Sequence, residues 1–274
     1  MTAVLITGCS SGIGRATARR LASRRELTVY ATARRPETIG DLAAAGCRTL
    51  SLDVTDDASM QQSVAEVEAE HGSVGVLVNN AGYGAYGTIE ETPLDRVRRQ
   101  FETNVFGLAR LCQLVLPGMR AARTGRIVNV SSMGGRLVFP VGGYYHASKY
   151  TVEGISDALR FEVAPFGVHV SLVEPGLIRT GFEETAASTM AASAPPGSPY
   201  AELVAAADRQ MARSYANRLL SASPEAVASV VERAAVGPRP RSRYVVTPPA
   251  KLLVHARRLL GGRAFDAYLR TVFR

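Results

Sequence analysis

The sequence predicts a doubly wound α/β fold: one domain with a mainly parallel β-sheet and a helical extension at its C-terminal end. Three observations carry this prediction. Short apolar runs recur along the chain, glycine or turn residues close most of them, and a helical pattern separates most runs from the next. The repeat length is about 25–40 residues, which suits right-handed crossovers between parallel strands.

Most of the predicted strands contain a run of apolar residues, as expected when helices cover both faces of a parallel sheet. The strands are predicted at residues 3–7, 27–33, 48–54, 74–82, 125–132, 167–176 and 243–248. The helices are predicted at residues 13–24, 56–70, 93–122 (two patterns), 145–165, 200–220 and 224–235. Apolar residues in these helical stretches recur every three or four positions, which places them on one face.

The 274 residues are enough for one large domain, which we expect to span residues 1–274. Residues 181–236 are predicted to hold a substrate loop and short helices. Within them, residues 182–199 are rich in Ala, Ser and Pro and predict a mobile loop. Residues 249–274 are predicted to form a basic, amphipathic C-terminal extension.

The net charge of +8 does not indicate a nucleic-acid-binding protein, because of where the charge lies. The region from 239 to 274 holds nine basic residues and one acid, Asp266, a difference of eight that equals the charge of the whole chain. The nine are Arg239, Arg241, Arg243, Lys251, Arg257, Arg258, Arg263, Arg270 and Arg274. Residues 1–238 are therefore balanced, and no broad basic binding face is predicted.

The remaining composition predicts a cytoplasmic protein without a membrane span or a metal site. No apolar run reaches about eighteen residues, and the N-terminus lacks the basic and long apolar regions of a secretory signal. Cys9, Cys47 and Cys112 lie far apart, which favours reduced thiols over a disulfide framework or a zinc site.

The stretch TGCSSGIG, residues 7–14, follows the first predicted strand and opens the first helix. Glycines in this position allow a tight turn and a close approach of the backbone to a phosphate, and the start of a helix favours an anion. A glycine triplet alone is equally consistent with a simple turn. The strand–loop–helix context favours the phosphate-binding interpretation.

Five motifs in unbroken order, over about residues 3–182, make the chain resemble the short-chain dehydrogenase/reductase family. They are TGCSSGIG, NNAG (79–82), NVFG (104–107), VSS followed by YHASK (145–149), and EPG followed by Thr180. The likeness is strongest to the hydroxysteroid and retinol dehydrogenase branch. It implies a Rossmann-type oxidoreductase that interconverts a secondary alcohol and a ketone, or an aldehyde, with NAD(P). It also implies pairing into a homodimer or homotetramer through the helices at 93–122 and 145–165.

Tyr145 and Lys149 are the predicted catalytic pair. They lie four residues apart and so share a helix face, whereas Tyr144 and Tyr150 do not face the lysine. A nearby ammonium, together with the cationic ring of oxidised nicotinamide, favours the phenolate and is expected to lower the pKa of Tyr145. The resemblance implies that Ser132 holds the carbonyl oxygen and Asn104 holds a relay water. The alternative is that Tyr145 only packs and Lys149 lies at the surface.

The cofactor is predicted to be NADP. Where NAD-binding members of the family carry an acid at the end of the second strand, this chain has Ala33, followed by Arg34 and Arg35. A guanidinium suits a 2′-phosphate, with Arg34 the main contact, although both arginines could simply be solvated. Asp53 matches the adenine-binding position but could also cap the next helix. The full set of predicted cofactor contacts is Gly8, Ser10, Ser11, Gly12, Ile13, Gly14, Arg34, Arg35, Asp53, Val54, Asn80, Ala81, Gly82, Tyr145, Lys149, Pro175, Gly176, Ile178 and Thr180, with Asn79 either beside the ribose or structural.

The substrate is predicted to be hydrophobic, because Met133, Leu137, Phe139, residues 176–182 and the loop that follows them are expected to form mostly apolar walls. In the C-terminal extension, one apolar stripe consists of Leu252, Leu253, Ala256, Leu259 and Leu260. We expect this stripe to pack on the domain; contact with an anionic membrane is the less favoured alternative. Two rival functions remain open: reduction of a carbon–carbon double bond, and a non-catalytic NADP-binding sensor.

Overall fold

The computed structural model describes residues 1–191, 193 and 195–273, and its centre is a seven-stranded sheet. The strands are β1 (Thr2–Ile6), β2 (Leu27–Ala33), β3 (Arg48–Ser51), β4 (Val76–Asn79), β5 (Gly125–Val130), β6 (Val168–Glu174) and, at the far edge, β9 (Arg243–Val245). All neighbouring strands are parallel, in the order β3-β2-β1-β4-β5-β6-β9. A separate parallel pair joins β7 (Leu177–Ile178) to β8 (Ser221–Ala222). The predicted fold class is confirmed.

Helices connect the strands and cover both faces of the sheet. They are α1 (Gly12–Ala22), α2 (Gly40–Ala44), α3 (Asp57–His71), α4 (Leu94–Phe101), α5 (Gly107–Ala121), α6 (Gly143–Val163), α7 (Phe182–Ala191), α8 (Ala201–Ala216), α9 (Pro224–Val236) and α10 (Pro248–Val272). A π-helical turn, Glu102–Phe106, joins α4 to α5, and the predicted pair of helical patterns is thus one continuous helical stretch.

The strand order reverses at β1, which pairs with β2 on one side and β4 on the other. In doubly wound sheets the crevice at such a reversal, beyond the carboxyl ends of the strands, is where ligands bind. The segments that follow β1, β4 and β5 all leave the sheet at this edge. The fold therefore brings the glycine loop, the NNAG motif and Ser132 to one place.

Two hydrophobic layers hold the sheet between its helices. Leu5 belongs to the layer formed with α3, α5 and α6, whereas its neighbours Val4 and Ile6 belong to the layer formed with α1 and α9. All three side chains are fully buried. Successive residues of a strand point to opposite faces, so a strand covered on both sides must be apolar at every position.

Several predicted strands are longer than the observed ones, because their last residues leave the sheet to enter the crevice. The third strand ends at Ser51, the fourth at Asn79 and the fifth at Val130. The mobile loop predicted at 182–199 is also wrong over its first part, where α7 forms. Ala186 and Met190 of α7 are buried against the cluster that contains Tyr145, and this tertiary packing stabilises a helix that composition did not reveal.

The C-terminal helix α10 is present, but its predicted packing face is only partly right: Leu253 packs on the domain, whereas three other leucines of the stripe do not. Leu252, Leu259 and Leu260 are 71%, 82% and 66% exposed, whereas Ala250 and Val254 are buried. The Thr247 side chain caps the helix by accepting a hydrogen bond from the Ala250 amide at 3.3 Å, and this start directs positions 250 and 254 inward.

A kink at Gly261 separates the two halves of α10. Its φ of 73° lies in the left-handed region that glycine tolerates, and beyond it Phe265 turns into the domain. Among the residues that the structure describes, no helix is both long and apolar enough to cross a membrane.

Candidate active site

A cavity of about 960 Å³ opens at the carboxyl edge of the sheet and joins a polar end to an apolar end. The polar end contains the glycine loop and the residues after β2, β3 and β4. The apolar end lies under α7, α8 and α10. Of the predicted site residues, those that line the cavity are Gly8, Ser10, Ser11, Gly12, Ile13, Arg34, Asp53, Val54, Asn80, Ala81, Gly82, Ser132, Tyr145, Lys149, Pro175, Gly176, Ile178 and Thr180. Three others, Gly14, Arg35 and Asn104, are not part of its lining.

The start of α1 presents backbone donors to the polar end. The N-cap residue Ser11 makes no side-chain capping bond, and the first turn contains no acid. The first amides of a helix have no partner within the helix, and together with the helix dipole they favour an anion. A dinucleotide phosphate fits this arrangement.

Two glycines of the loop are required by the geometry. Gly12 has a φ of 54°, which side-chain-bearing residues rarely adopt, and it lies against Thr180 across the cavity. A Cβ on Gly14 would lie 2.3 Å from the Gly8 carbonyl oxygen and 2.5 Å from Nδ2 of Asn80. Gly14 therefore shapes the loop from behind, which explains why it does not line the cavity as predicted.

The two arginines after β2 separate in the structure. Both are exposed, but only Arg34 lines the cavity. Arg35 extends the chain toward the short helical turn at Pro36–Ile39. That both arginines contact the cofactor stays a prediction; Arg35 lies outside the cavity lining because neighbouring residues in extended backbone point their side chains in opposite directions.

Asp53 does not cap the helix that follows it, one of the two roles predicted for it. Its Oδ1 atom accepts hydrogen bonds from the Thr55 amide at 2.9 Å and the Thr55 hydroxyl at 2.8 Å. The cap of α3 is Asp56, which accepts from the amides of Ala58 and Ser59. Asp53 lines the cavity and is held there by its own turn.

Asn79 and Asn80 play different parts. Asn79 is buried, and its Nδ2 donates to Asn129 Oδ1 at 2.9 Å, linking β4 to β5. Asn80 donates to the carbonyl oxygens of Thr7 and Gly8 at 2.9 and 3.1 Å and so ties the NNAG turn to the glycine loop. Asn79 is therefore structural, while Asn80 shapes the cavity wall.

Asn104 lies on the π-helical turn and is 1% exposed. Its Nδ2 donates to the Tyr83 carbonyl oxygen at 2.9 Å and to Ser148 Oγ at 3.0 Å, while its Oδ1 accepts from the Tyr83 amide at 3.0 Å. These bonds engage both ends of the side-chain amide. Asn104 thus clamps the loop after β4 onto α6 and does not face the cavity.

Lys149 is buried beside the cavity. Its Nζ atom donates to the Val130 carbonyl oxygen at 3.0 Å, and the side chain is anchored to the end of β5. Burial lowers the pKa of Lys149 to about 8, while the nearby Glu153 carboxylate acts in the opposite direction. The alternative of a solvated surface lysine is therefore wrong.

Tyr145 lies between aromatic rings. Its ring stacks on Tyr86 with centroids 5.6 Å apart, and Phe182 approaches to 5.4 Å. Burial raises the pKa of Tyr145 to about 12, and the Ser132 side chain opposes this shift only in part. The lowering of this pKa that the ammonium was expected to cause is not found in the protein alone, because desolvation of the phenolate outweighs the hydrogen bond with Ser132.

His146 occupies a buried position next to Tyr145. Its Nδ1 lies 3.1 Å from the Gly134 carbonyl oxygen, and burial lowers the pKa of its imidazole to about 4. The ring is therefore neutral near pH 7, with Nδ1 donating to the carbonyl. This contact connects α6 to the segment that follows Ser132.

The apolar end of the cavity is built largely by residues that periodicity did not single out. Met133 and Phe139 line it as predicted, but Leu137 is fully buried elsewhere, beneath α10. Met190, from the loop predicted after Phe182, and Leu253, from the stripe of the C-terminal extension, line the apolar end as well. The residues that sequence reasoning missed come from distant segments: Tyr86, Ala207, Met211, Tyr215, Tyr268 and Phe273. Only the packing of α7, α8 and α10 over the cavity brings them together.

A buried charge cluster lies one helical turn beyond Lys149. Arg243 of β9 bonds to Glu153 and Asp157 of α6 and, at 2.9 Å, to Glu174 of β6. Burial and the Glu174 carboxylate raise the pKa of Glu153 to about 7. The cluster fixes the edge strand against the helix that carries Tyr145 and Lys149.

Comparison with known proteins identifies relatives over most of the chain. A family described as "short chain dehydrogenase" matches residues 2–191. The 3-ketodihydrosphingosine reductase of Bacteroides thetaiotaomicron is 46% identical over 182 residues, which are 66% of this chain and 65%, just under two thirds, of that protein.

Two further likenesses extend over more of the chain. Human 17-beta-hydroxysteroid dehydrogenase type 1 is 37% identical over 90% of this chain and 77% of its own length. The crystal structure of a short-chain dehydrogenase from Streptomyces avermitilis superposes with a TM-score of 0.82 at 36% identity, covering 98% of this chain and 95% of that one. The similarity thus includes the segments beyond residue 191.

Proposed function

Because this chain belongs to the short-chain dehydrogenase/reductase family and is an oxidoreductase of that family, we propose that it interconverts a hydrophobic secondary alcohol and a ketone with NADP(H). The observation that carries the proposal is the position of Tyr145. Its phenol lies in a single cavity between the polar end, with the glycine loop and Arg34, and the apolar end under α7, α8 and α10.

Tyr145 is the proposed acid and base. With a pKa of about 12 it keeps its proton at neutral pH, and it can donate that proton to a ketone oxygen that becomes an alkoxide. Ser132, whose hydroxyl accepts from the Gly134 amide at 3.0 Å, is the proposed donor that holds the same oxygen. NADP(H), when bound, supplies or accepts the hydride.

Lys149 and Asn104 are proposed to support the reaction in different ways. The lysine, anchored by Val130, places a positive charge near the phenol and favours proton release when an alcohol is oxidised. Asn104 acts as a positioning residue, since it bonds to Tyr83 and Ser148 within the chain.

The preference for NADP is proposed from Arg34. Its guanidinium is exposed at the polar end of the cavity, and Ala33 leaves no carboxylate at the end of β2 that would bind a ribose 2′-hydroxyl. A 2′-phosphate would gain charge-assisted hydrogen bonds there.

A lipid-like or steroid-like ketone is the proposed substrate. Tyr86, Met190, Val204 and Phe273 belong to the apolar cluster around Tyr145, and they offer dispersion contacts with few polar partners. Two relatives are named for a ketosphingosine and a hydroxysteroid, both largely apolar compounds. A sugar would leave its hydroxyl groups unpaired against these walls.

We also propose that residues 1–274 form one domain, that the protein is cytoplasmic, and that it assembles as a homodimer or homotetramer. The buried free thiols of Cys9, Cys47 and Cys112 suit a reducing compartment.

The function is tested by following NADPH oxidation with a panel of ketones: 3-ketodihydrosphingosine, a 17-ketosteroid, a β-ketoacyl thioester and an aldohexose. We expect turnover with at least one of the apolar ketones and a much lower kcat/KM for the sugar. Turnover of the aldohexose above all the apolar ketones would contradict the proposed substrate class, and no oxidation of NADPH with any of them would contradict the proposed reaction.

A further inference from the structure

The outer face of α10 carries apolar side chains that nothing in the described chain covers. Leu252, Leu259 and Leu260 are each at least 66% exposed. Leu252 and Leu259 are seven residues apart, which is two helical turns or about 10.5 Å along one side of the helix. Three large leucines this close together form a patch, unlike isolated exposed apolar residues, which are common on protein surfaces.

Basic residues flank this leucine patch. Lys251 immediately precedes Leu252, Arg258 immediately precedes Leu259, and both basic side chains are exposed. Arg263, just past the kink, is exposed as well. No acid occurs between Pro248 and Phe265. Long basic side chains beside leucines suit a boundary between an apolar layer and an anionic one, because their stems stay with the leucines while their charges reach outward.

Other side chains of α10 face the cavity and the domain. Leu253, Tyr268 and, just past the end of the helix, Phe273 line the apolar end, and Val254 and Phe265 anchor the helix to the domain. Burying Val254 and Phe265 fixes which way the helix is turned. A single helix thus lies between the apolar end of the cavity and the exposed leucine patch.

The geometry points to an anionic lipid surface as the partner of this face of α10. A second copy of the chain fits less well, since a self-complementary contact would bring Lys251 and Arg258 of each copy toward the same charges of the other. A lipid surface offers both of the required chemistries, negative headgroups for the basic residues and an apolar layer for the leucines. The helix would lie on this surface with the apolar end of the cavity close to the lipid, from which a lipophilic substrate could enter.

The test is cosedimentation of the full-length protein with vesicles of phosphatidylcholine alone and of phosphatidylcholine with phosphatidylglycerol. We expect binding to the anionic vesicles and little to the neutral ones. The variant L252S/L259S/L260S should bind the anionic vesicles at least about tenfold more weakly, while L252M/L259M/L260M, which keeps the apolar area, should bind like wild type. K251Q/R258Q should weaken binding about thirtyfold, because each basic side chain near an anionic lipid surface contributes about 1 kcal/mol to the binding free energy.

Controls separate this docking from general effects of charge and folding. R25Q/R98Q removes two exposed arginines outside α10 and should leave vesicle binding unchanged. Circular dichroism should show the same melting temperature for every variant. Wild-type protein that stays in the supernatant, or equal binding of the serine and methionine variants, would overturn the inference. A lower oligomeric state of the serine variant in light scattering would assign the face to another copy of the chain instead.

Discussion

The ammonium group of Lys149 donates a hydrogen bond to the carbonyl oxygen of Val130 at 3.0 Å. This bond anchors the lysine to the last residue of β5, immediately before the segment that carries Ser132. One helical turn earlier on α6, burial raises the pKa of Tyr145 to about 12, and the hydrogen bond with Ser132 opposes this shift only in part. In the protein alone, Tyr145 is therefore protonated at neutral pH.

Replacement of Tyr145 by phenylalanine should abolish most of the turnover without loss of cofactor binding. General acid–base catalysis by a positioned side chain contributes about 10²–10⁴-fold, and phenylalanine retains the packing against Tyr86 and Phe182. NADPH binding by fluorescence should stay the same while kcat falls. Y150F alters an exposed tyrosine on the same helix and should keep wild-type kcat. Full activity of Y145F would rule out the proposed mechanism.

Replacement of Arg34 by alanine should raise the KM for NADPH much more than the KM for NADH. The reason is that NADPH, unlike NADH, carries the 2′-phosphate that the guanidinium of Arg34 is proposed to bind. R35A is a matched control, because Arg35 is equally exposed but does not line the cavity. Equal effects of the two substitutions on KM for NADPH would contradict the assignment of Arg34.

His146 should make the protein less stable as the pH falls from about 6.5 to 4. Burial lowers the pKa of the folded imidazole to about 4. The unfolded chain therefore binds the proton first, and the stability that the neutral ring contributes is lost as the pH falls through this window. The loss is on the order of 3 kcal/mol once the pH is below both values.

Thermal melts of H146Q should accordingly show a flatter dependence on pH between 6.5 and 4. H169Q alters an exposed histidine and should follow the wild-type curve. A wild-type dependence in H146Q would mean that other groups control the acid sensitivity.

Replacement of Arg243 by methionine should destabilise the fold by about 3–5 kcal/mol, the usual cost of leaving a buried charge without its partner. Glu174 is completely buried and the Glu153 side chain is 8% exposed, so both carboxylates would lose their shared cation. The double variant R243M/E153Q should recover part of the loss in urea unfolding.

The matched control for this cluster is R99M, which breaks an ion pair with Asp95 whose side chains are 63% and 59% exposed. Exposed ion pairs contribute little to stability, and we expect the free energy of unfolding to change by no more than about 0.5 kcal/mol. A loss in R99M as large as that in R243M would show that burial is not what makes the Arg243 cluster important.

Local sequence patterns were sufficient for the framework and for much of the polar end of the site. The glycine loop, Asp53, Asn80 and Thr180 all lie at the cavity where their motifs placed them. Their placement follows from backbone requirements within a few residues, such as the positive φ of Gly12. Short-range patterns did not reveal that Arg35 and Asn104 lie outside the cavity lining, because the direction of a side chain depends on neighbours that are distant in sequence.

The amino-acid sequence by itself determined the parallel sheet, its crossovers and the positions of Tyr145, Lys149 and Ser132, because these depend on the periodicity of apolar residues and on short-range spacing. Only the tertiary structure decided the helix at 182–191, the apolar end of the cavity and the side of α10 that faces outward. The physical reason is that an apolar stripe specifies that a helix can be buried but not against what. In α10, either the leucines or a second set of apolar residues could be buried against the domain. The cap at Thr247 and the kink at Gly261 turn the helix so that the second set, Ala250, Val254 and Phe265, is buried.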